Sequence, residues 1–461
     1  MALLDATDPR PVHFVGIAGA GMSALAELFV RRGVAVTGCD SNASGAADLR
    51  RLGVVLSEGH DPAHVAGARA LVITSAMRRD HPELEAARTA GVPIVRRAEA
   101  LGEAVSGGTL VAVAGTHGKT TTTVMTTEAL AAAGLRPTGV AGGRVGQWGG
   151  NLRFDGDHLF VVEADEYDRS FLALSPTVAV VTNVEADHLD IYRDLADIRQ
   201  AFEAFVAPAQ TIVLCDDDAG AATLDVSTGA QVLRYGTESR NARVVGVPRV
   251  TADGHTIVSV SFDGEPLGEL ALRVPGMHNV RNALAAVASG LALGATLDGM
   301  RPGLESFGGV ERRFQRLGEV GGVCVVDDYA HHPTEVAATI AAARGAYPGR
   351  RLVVAFQPHL YSRTRDFAEG FAQALANSDA VFLTALYPSR EQPIVGVSSA
   401  LIADPLTRAG RAPQWTGARG DAATALASFA RAGDVVLTMG AGDITQTGPE
   451  LLALLRTRGP A

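Results

Sequence analysis

Short β-rich runs alternate with helical stretches along most of the chain, and few folds accommodate such an alternation. Between Val12 and Val95 the runs include VHFVGIAG, VAVTGCDS, ALVITSA and VPIVRR, and the helical stretches include MSALAELFVRRG and PELEAARTAG. Strands that alternate with helices of this length predict βαβ units, in which the strands form a parallel sheet. The predicted fold class is therefore α/β.

The length of the chain and its breaks predict three domains. A chain of 461 residues exceeds the size at which a single hydrophobic core stops growing. A glycine-rich break precedes a new strand, TLVAVAG, and a third α/β block opens with VCVVDDYAHHP. We place the domains at 1–106, 107–311 and 312–461. Residues 243–274 alternate like antiparallel hairpins, which predicts an addition at the periphery of the central domain.

Charge and composition exclude several classes of protein. A net charge of -10 argues against nucleic acid as a partner, because binding to a phosphate backbone needs a basic face. No apolar stretch reaches the roughly 20 residues of a membrane helix and no signal-like segment opens the chain, so we expect a cytosolic protein without membrane insertion. Cys39, Cys215 and Cys324 are widely spaced without a CxxC motif, which indicates buried thiols and neither a disulfide framework nor a zinc site.

The strand TLVAVAG runs into a glycine-containing loop, GTHGKT at 115–120, and then into a helix. In such a loop the glycines let backbone N–H groups approach phosphates, the lysine reaches the β/γ-phosphates, and Thr120 can ligate Mg²⁺. Lys119 is the only lysine among the 40 lysine and arginine residues, which indicates a site that needs a compact point charge. Val113 stands where the full Walker A motif has glycine, so a tight strand-to-helix turn is the alternative.

Acidic residues follow two further strands of the same domain. The segment EADE at 163–166 follows HLFVV, and EADH at 185–188 follows VAVVTNV. Ligands bind at the C-terminal ends of strands in open parallel sheets, and hard oxygen ligands suit Mg²⁺. The two segments therefore predict a magnesium site beside the phosphate loop, with solvated loop charges as the alternative.

A second glycine-rich loop, GIAGAGMS at 16–23, follows the first strand, and Asp40 closes the second strand. The pattern is similar to a dinucleotide-binding fingerprint, with the acid where a ribose would bind. Ala18 replaces the middle glycine, so the motif predicts a diphosphate site at a helix N-terminus, which UDP fills as well as NAD. Close packing of the helix on the strand is the alternative.

Several longer strings occur in one order along the three predicted domains. They are GIAGAGMS, GTHGKTTTT, VVEADE, TNVEADHLD, PGMHNVRNA, GVERRF, DDYAHHPTE, FQPHLYSRT and MGAGD. Together they resemble the Mur ligase family across nearly the whole chain. The resemblance implies a Rossmann-like N-terminal domain that binds a UDP-linked substrate and a central P-loop ATPase domain with a mostly parallel sheet. It also implies a Rossmann-like α/β C-terminal domain that brings the amino acid and closes over ATP.

The same resemblance implies the reaction and its partners. An ATP-dependent ligase would join L-alanine to the lactyl carboxylate of UDP-N-acetylmuramate through an acyl phosphate, with ATP and Mg²⁺, in peptidoglycan synthesis. A sister ligase that attaches a tripeptide in recycling is the alternative. The expected partners are these small molecules, and the expected state is a monomer or weak homodimer.

The resemblance also assigns functions to individual residues. The implied catalytic residues are Lys119, His188 and Arg312. The implied ATP contacts are Gly115, Thr116, His117, Gly118, Lys119, Thr120, Thr121, His278, Asn279, Arg312 and Asp328. The implied substrate contacts are Gly19, Gly21, Met22, Ser23, Asp40, Ser41, Ser75, His117, His331, His359, Tyr361 and Arg363. The implied metal ligands are Thr120, Glu163 and His188.

Two residues depart from the family pattern. Tyr167 stands where many relatives have serine, and a tyrosine at this position is similar to a recycling relative. Leu360 stands where many relatives have arginine. We therefore expect the carboxylate of the amino acid at Arg363 or Arg365.

Two rival functions explain less of the chain. A nucleotide-dependent oxidoreductase leaves the second phosphate loop unexplained, and a P-loop regulator or binding module leaves the third domain without a function.

Overall fold

The computed structural model describes residues 3–74, 77–78, 80–226, 229–239, 241–251 and 255–457. Within these ranges the chain forms three sheets, each from a different part of the sequence. Short 3-10 helices lie at Ala43–Ala46, Pro62–Val65, Gly146–Trp148, Tyr167–Ala173 and Asp443–Gln446. In the described part of the chain, no helix is long and apolar enough to cross a membrane.

The first sheet is parallel throughout and has five strands in the order β3-β2-β1-β4-β5. The strands are β1 (Val12–Val15), β2 (Val36–Asp40), β3 (Val55–Glu58), β4 (Ala70–Ile73) and β5 (Ile94–Arg96). The helices are α1 (Ala20–Arg31), α2 (Ala47–Arg51), α3 (Pro82–Ala90) and α4 (Arg97–Val105). The central strand β1 is buried along its whole length, including the polar side chain of His13.

The second sheet has ten strands in the order β15-β14-β13-β12-β11-β10-β6-β9-β7-β8. The strands are β6 (Thr109–Ala114), β7 (Thr138–Val145), β8 (Gly150–Phe154), β9 (Leu159–Glu163), β10 (Val178–Val181), β11 (Thr211–Cys215), β12 (Gln231–Gly236), β13 (Val244–Val250), β14 (Thr256–Phe262) and β15 (Glu265–Leu272). The helices are α5 (Lys119–Ala132), α6 (Leu195–Val206), α7 (Ala219–Ala222), α8 (Met277–Ala292) and α9 (Leu297–Ser306). Strands β13, β14 and β15 pair antiparallel at one edge, which confirms the predicted peripheral hairpins.

The third sheet has six strands in the order β16-β17-β21-β18-β19-β20, and only β16 is antiparallel to its neighbour. The strands are β16 (Gln315–Val320), β17 (Val323–Asp328), β18 (Arg351–Phe356), β19 (Ala380–Thr384), β20 (Trp415–Gly417) and β21 (Asp434–Met439). The helices are α10 (Pro333–Ala346), α11 (Tyr361–Leu375), α12 (Ala400–Arg408), α13 (Arg419–Phe429) and α14 (Thr447–Thr457). The predicted fold of three α/β domains is confirmed.

The hydrophobic core is continuous between the first two sheets and separate in the third. Helix α1 packs against β7 and β8, and one cluster of buried apolar side chains includes both Phe29 in α1 and Leu152 in β8. The third sheet has its own clusters on its two faces, which include Phe356 and Val325. The three cysteines are buried and free, as predicted.

Candidate active site

The phosphate loop lies between β6 and α5, where the sequence predicts it. Gly115 and Gly118 have positive φ angles of 144° and 81°, and glycine adopts this backbone region without the strain that a Cβ causes. The amide of His117 donates to Asn183 Oδ1 at 2.7 Å, and Thr182 Oγ1 donates to the carbonyl of His117 at 2.6 Å. The residues that follow β10 therefore hold the loop in one shape.

Lys119, the first residue of α5, is held beneath the loop and ion-paired. Its Nζ donates to the carbonyl oxygens of Gly115 (2.7 Å) and Thr116 (3.2 Å) and lies 2.7 Å from Glu166 Oε2. Burial opposes the charge, but the carboxylates of Glu166 and Asp165 outweigh it, so the pKa of Lys119 is raised. The loop therefore contains a fixed ammonium group, which is what binding of a triphosphate requires.

Thr120 and Glu163 come together because two neighbouring strands end beside them. β6 and β9 pair in parallel, and Thr120 Oγ1 donates to Glu163 Oε1 at 3.0 Å. Glu163 Oε2 accepts from the Gly142 amide at 2.6 Å, and burial raises the pKa of this carboxyl group. His188 Nε2 lies 3.4 Å from Glu166 Oε1, and its buried Nδ1 has no hydrogen-bond partner among the described residues. A hydroxyl beside a buried carboxylate suits Mg²⁺. Of the three predicted metal ligands, Thr120 and Glu163 are in contact, whereas His188 contacts Glu166.

His117 links the phosphate loop to the C-terminal domain. Its Nε2 lies 3.2 Å from Glu185 Oε2, and its Nδ1 lies 3.3 Å from Glu335 Oε1 in α10. Thr334 Oγ1 donates to the same oxygen of Glu185 at 2.7 Å. Burial opposes the imidazolium, but hydrogen bonds with Glu185 and Glu335 outweigh it and raise the pKa of His117 to about 9. At neutral pH His117 is therefore a cation between carboxylates of two domains.

A buried ion pair joins the same two domains. Arg363 in α11 donates from Nε and Nη2 to Asp187 Oδ1 at 3.1 and 2.7 Å, and both side chains are buried. Burial opposes ionisation of this carboxyl group, but Arg363 keeps the pKa of Asp187 well below its usual range. Arg365 is exposed and pairs with the adjacent Asp366. Of the two arginines predicted to hold the amino acid, Arg363 faces the central domain and Arg365 faces solvent.

A cavity of about 220 Å³ lies between the phosphate loop, α8 and the C-terminal domain. Asp328 accepts from the amides of Phe314 (2.7 Å) and Ala330 (2.8 Å), and burial raises its pKa to about 6. Burial lowers the pKa of His278 to about 4, so this imidazole is neutral at pH 7. The predicted ATP residues that line the cavity are His117, Gly118, Thr121, His278, Asn279 and Asp328.

Arg312 and Arg313, the two arginines of the segment GVERRF, share one aromatic neighbour but differ in their other contacts. Arg312, with a φ of 62°, donates from Nη2 to the carbonyl of Gly440 at 2.7 Å. Its guanidinium lies 4.7 Å from the centre of the Tyr329 ring, and that of Arg313 lies 5.0 Å from the same centre. Arg313 lines the cavity, whereas Arg312, the arginine that the resemblance assigned to ATP, is not among the lining residues.

The residues predicted on the amino-acid side gather near Arg363. The rings of His331 and His359 lie 6.2 Å apart, and His359 Nδ1 is 3.4 Å from Arg363 Nη1. His359 also stacks on Tyr387 at 5.9 Å. Burial lowers the pKa of His331 to about 4 and that of His359 to about 3, so both imidazoles are neutral at pH 7. Tyr361 begins α11 and is partly buried.

The N-terminal glycine loop borders a second cavity of about 190 Å³. Ser23 and Asp48 of the first domain line this cavity together with Arg144 and Asn151 of the central domain. Asp40 accepts from the Ala18 amide at 3.0 Å through one carboxylate oxygen and from the Asn42 amide at 3.0 Å through the other. The loop therefore lies at a junction between domains, as a substrate site there requires.

The other residues predicted for this substrate occupy varied positions. Gly19 precedes α1 and is exposed, Gly21 is partly buried, and Ser41 is exposed beside Asp40. The Met22 side chain is buried in the core, so a substrate contact at Met22 falls to its backbone. Ser75 lies outside the described residues.

Five residues of this site were given no individual role by the sequence prediction: Glu166, Asp187, Glu185, Arg313 and Glu335. The first three belong to the acidic segments already noted, but their partners are distant in sequence. Glu335 could have been found from local pattern, because it is the third residue of α10 and its side chain accepts from the amide of His332.

Comparison with known proteins covers all three sheets. Residues 11–109 match the description "Mur ligase family, catalytic domain", residues 113–290 match "Mur ligase middle domain", and residues 312–442 match "Mur ligase, glutamate ligase domain". A UDP-N-acetylmuramate--L-alanine ligase of Burkholderia ambifaria is 45% identical over 446 residues, which cover 94% of this chain and 96% of that protein.

Two solved structures extend the comparison to the fold. A UDP-N-acetylmuramate-alanine ligase from Thermotoga maritima has a TM-score of 0.82 and 30% identity, with 97% of this chain and 99% of that chain covered. A murein peptide ligase from Psychrobacter arcticus has a TM-score of 0.72 and 27% identity, with 96% and 98% covered. Both similarities run through all three domains.

Proposed function

The chain belongs to the Mur ligase family, and on that premise we propose that it joins L-alanine to the lactyl carboxylate of UDP-N-acetylmuramate. ATP is converted to ADP and phosphate, and the product is UDP-N-acetylmuramoyl-L-alanine for peptidoglycan synthesis. The observation that carries the assignment is the 45% identity over 94% of the chain to a relative with that name.

The first chemical step is transfer of the γ-phosphoryl group to the muramoyl carboxylate, which yields an acyl phosphate. Such transfer depends on positioning and charge neutralisation more than on covalent help from the protein. Lys119 supplies a fixed positive charge at the loop, and the N-terminus of α5 adds backbone N–H groups. Mg²⁺, held by Thr120 and Glu163 with His188 nearby, would neutralise phosphate charge when bound.

The second step is attack of the alanine amine on the acyl phosphate. The amino acid arrives with an ammonium group, which neighbouring cations would repel. His331 and His359 are neutral at pH 7, so they accept hydrogen bonds without adding such repulsion. We assign the carboxylate of the amino acid to the side of Arg363, which is buried beside His359.

The size of the acceptor separates the two ligase candidates. Tyr167, which is similar to the recycling relative, and the structural likeness to a murein peptide ligase favour a tripeptide. However, the Arg390 guanidinium lies over the Tyr167 ring at 4.5 Å, and His359, stacked on Tyr387, lies beside Arg363. These bulky side chains support a small amino acid.

Three further features belong to the same proposal. The domain boundaries 1–106, 107–311 and 312–461 fall between the three sheets. The reaction uses ATP and a nucleotide-linked substrate, which supports a cytosolic location. A monomer or weak homodimer stays a prediction.

Phosphate release from ATP tests the proposal. The assay contains Mg²⁺ and UDP-N-acetylmuramate with L-alanine, glycine, L-serine, D-glutamate or the recycled tripeptide, and Lys119→Ala serves as the blank. We expect release that requires both substrates and is fastest with L-alanine. Fastest release with the tripeptide would assign the chain to the recycling reaction, and release that ignores the muramate nucleotide would contradict both.

A further inference from the structure

The N-terminal domain contains a buried group of metal-ligating side chains that the proposed reaction does not use. His13 in β1, Cys39 in β2, His64 in the 3-10 helix Pro62–Val65 and Glu83 in α3 each offer one ligand atom, and these atoms lie within 4.8 Å of one another. We call these four residues the N-terminal cluster. They come from four separate elements, so folding alone brings them together.

The contacts within the N-terminal cluster are close. Cys39 Sγ lies 3.1 and 3.2 Å from the two carboxylate oxygens of Glu83. His64 Nδ1 lies 2.7 Å from Glu83 Oε1. Four ligands around a tetrahedral ion with bonds of 2.0–2.3 Å lie about 3.3–3.8 Å apart. The ligand atoms of the cluster lie within 4.8 Å of one another, so small side-chain shifts would bring them to these separations.

One nitrogen of the cluster lacks a partner, whereas Cys39 and Glu83 are hydrogen-bonded to each other and Glu83 Oε1 also accepts from the Asp61 amide at 3.2 Å. Cys39 and Glu83 are fully buried and His13 is 2% exposed, and polar groups in such surroundings need hydrogen bonds or a metal. The Nδ1 of His13 contacts Thr37 Oγ1 at 2.8 Å, but its buried Nε2 has no hydrogen-bond partner in the part of the chain that the structure describes. That free nitrogen is an independent indication of a missing ligand.

The chemistry of the donors selects the ion. A thiolate, two imidazoles and one carboxylate are the ligand types of tetrahedral Zn²⁺ sites, whereas Mg²⁺ takes oxygen ligands. We propose that His13, Cys39, His64 and Glu83 form a structural Zn²⁺ site in the N-terminal domain. On binding, the Cys39 S–H bond breaks, an S–Zn bond forms, and the proton passes to solvent.

The site lies directly beneath the N-terminal glycine loop. The amides of Gly16 and Ile17 donate to the carbonyl of Cys39 at 2.8 and 3.1 Å, and the next residue, Asp40, holds the Ala18 amide. His60 Nδ1, on the partly exposed side, lies 3.3 Å from Cys39 Sγ and offers a path for entry of the ion. An ion that ties β1, β2 and α3 together would therefore stabilise the base of this loop.

Two other groups of this type occur among the described residues. His60 and His81 form one of them together with Glu83, which they share with the N-terminal cluster, and His117, Glu185 and His332 form the other in the active site already described. The test must therefore separate the N-terminal cluster from metal binding at both of these groups. Among these groups of described residues, the N-terminal cluster alone contains a cysteine, so a thiolate-dependent signal distinguishes it from the other two. Cys324, which is buried in the C-terminal sheet, provides a matched control.

The experiment uses the full-length chain, stripped of metal and kept in excess Mg²⁺. Zn²⁺ is titrated against a chromophoric chelator for the wild type, Cys39→Ala and Cys324→Ala. We expect one tightly bound Zn²⁺ in the wild type and in Cys324→Ala, and an affinity at least ~100-fold weaker in Cys39→Ala, since loss of a direct ligand exceeds the 10–100-fold effect of outer partners.

Co²⁺ binding to the wild type provides a second readout that does not depend on a variant that folds. We expect the thiolate-to-metal absorption band of a tetrahedral Co²⁺ site, together with release of protons. Absence of that band, or equal Zn²⁺ affinity of the wild type and a folded Cys39→Ala variant, would overturn the proposal and leave an ordinary hydrogen-bonded cluster.

Discussion

The two junctions between domains differ in chemistry, since one is apolar and the other is charged and polar. The first and second domains share a continuous apolar core in which α1 packs on β7 and β8. The second and third domains meet near the phosphate loop through charged and polar pairs, Asp187 with Arg363 and His117 with Glu335. Apolar burial is non-directional and insensitive to pH, whereas ion pairs depend on geometry and protonation. We therefore expect the first junction to stay closed and predict that the second opens and closes around ATP.

Removal of the buried ion pair between Arg363 and Asp187 should give the largest loss of stability and activity. Arg363→Met leaves the Asp187 carboxylate buried without its partner, which costs roughly 3–5 kcal/mol. We expect the C-terminal domain to unfold or undock at lower urea concentration and phosphate release to fall by at least ~100-fold. Arg365→Met is the matched control, because Arg365 is exposed and pairs with Asp366. Equal urea midpoints for the two variants would argue against a polar junction.

The apolar junction should respond to loss of volume. Leu152→Ala removes a buried side chain from the strand against which α1 packs, at a cost of about 3 kcal/mol. Urea unfolding should show the first two domains destabilised together, while the KM for ATP stays unchanged. Leu454→Ala, at a residue that is 36% exposed, serves as the control. Independent unfolding of the two domains in Leu152→Ala would mean that their cores are not coupled.

The stability of the polar junction should change with pH by roughly 2 kcal/mol in the free energy of unfolding, whereas that of the apolar junction should not. The pKa of His117 is about 9 in the folded chain, above the unfolded value near 6.5. Its stabilising effect is therefore complete below about pH 6.5 and is lost as the pH rises through 9; the magnitude is reduced because Glu185 is partly exposed. Urea midpoints of the C-terminal transition between pH 6 and 9.5 measure it. His117→Gln should abolish that dependence, and its persistence would assign it to another group.

Removal of one neutral hydrogen-bond donor, the Thr334 hydroxyl, should have the smallest effect on the junction between the second and third domains. Thr334→Val keeps the shape of the side chain but removes its hydrogen bond to Glu185, which contributes about 1 kcal/mol. We expect the KM for ATP to rise about fivefold without loss of the folded state. Thr407→Val is the control, because the Thr407 hydroxyl bonds only within α12, to the carbonyl of Ala403. If both variants behave alike, the Thr334 contact does not hold the domains together.

Features encoded locally were predictable from the sequence. The phosphate loop needs a strand, two glycines, a lysine and a helix in immediate succession, and all lie within 109–132. The α/β alternation and the edge hairpins are also local patterns, since side-chain periodicity specifies each element. The position of Arg365 was not separable from that of Arg363 by sequence, because the turn of α11 decides which one faces the central domain.

Contacts between residues that are distant in sequence were not predictable. Glu166 and Lys119 meet only because β9 and β6 are neighbours in the sheet. The absence of a CxxC motif indicated no zinc site, but that inference uses spacing along one segment. His13, Cys39, His64 and Glu83 lie on four elements whose proximity follows from the sheet order.

The solitary lysine gives this chain a built-in reporter of motion. A lysine-specific protease has one bond to cut, after Lys119, and the products would be 1–119 and 120–461. The side chain is ion-paired beneath the phosphate loop, so cutting requires that loop to open locally. The rate of this one cleavage therefore measures how often the nucleotide cradle unfolds in the intact protein, and a bound nucleotide should slow it.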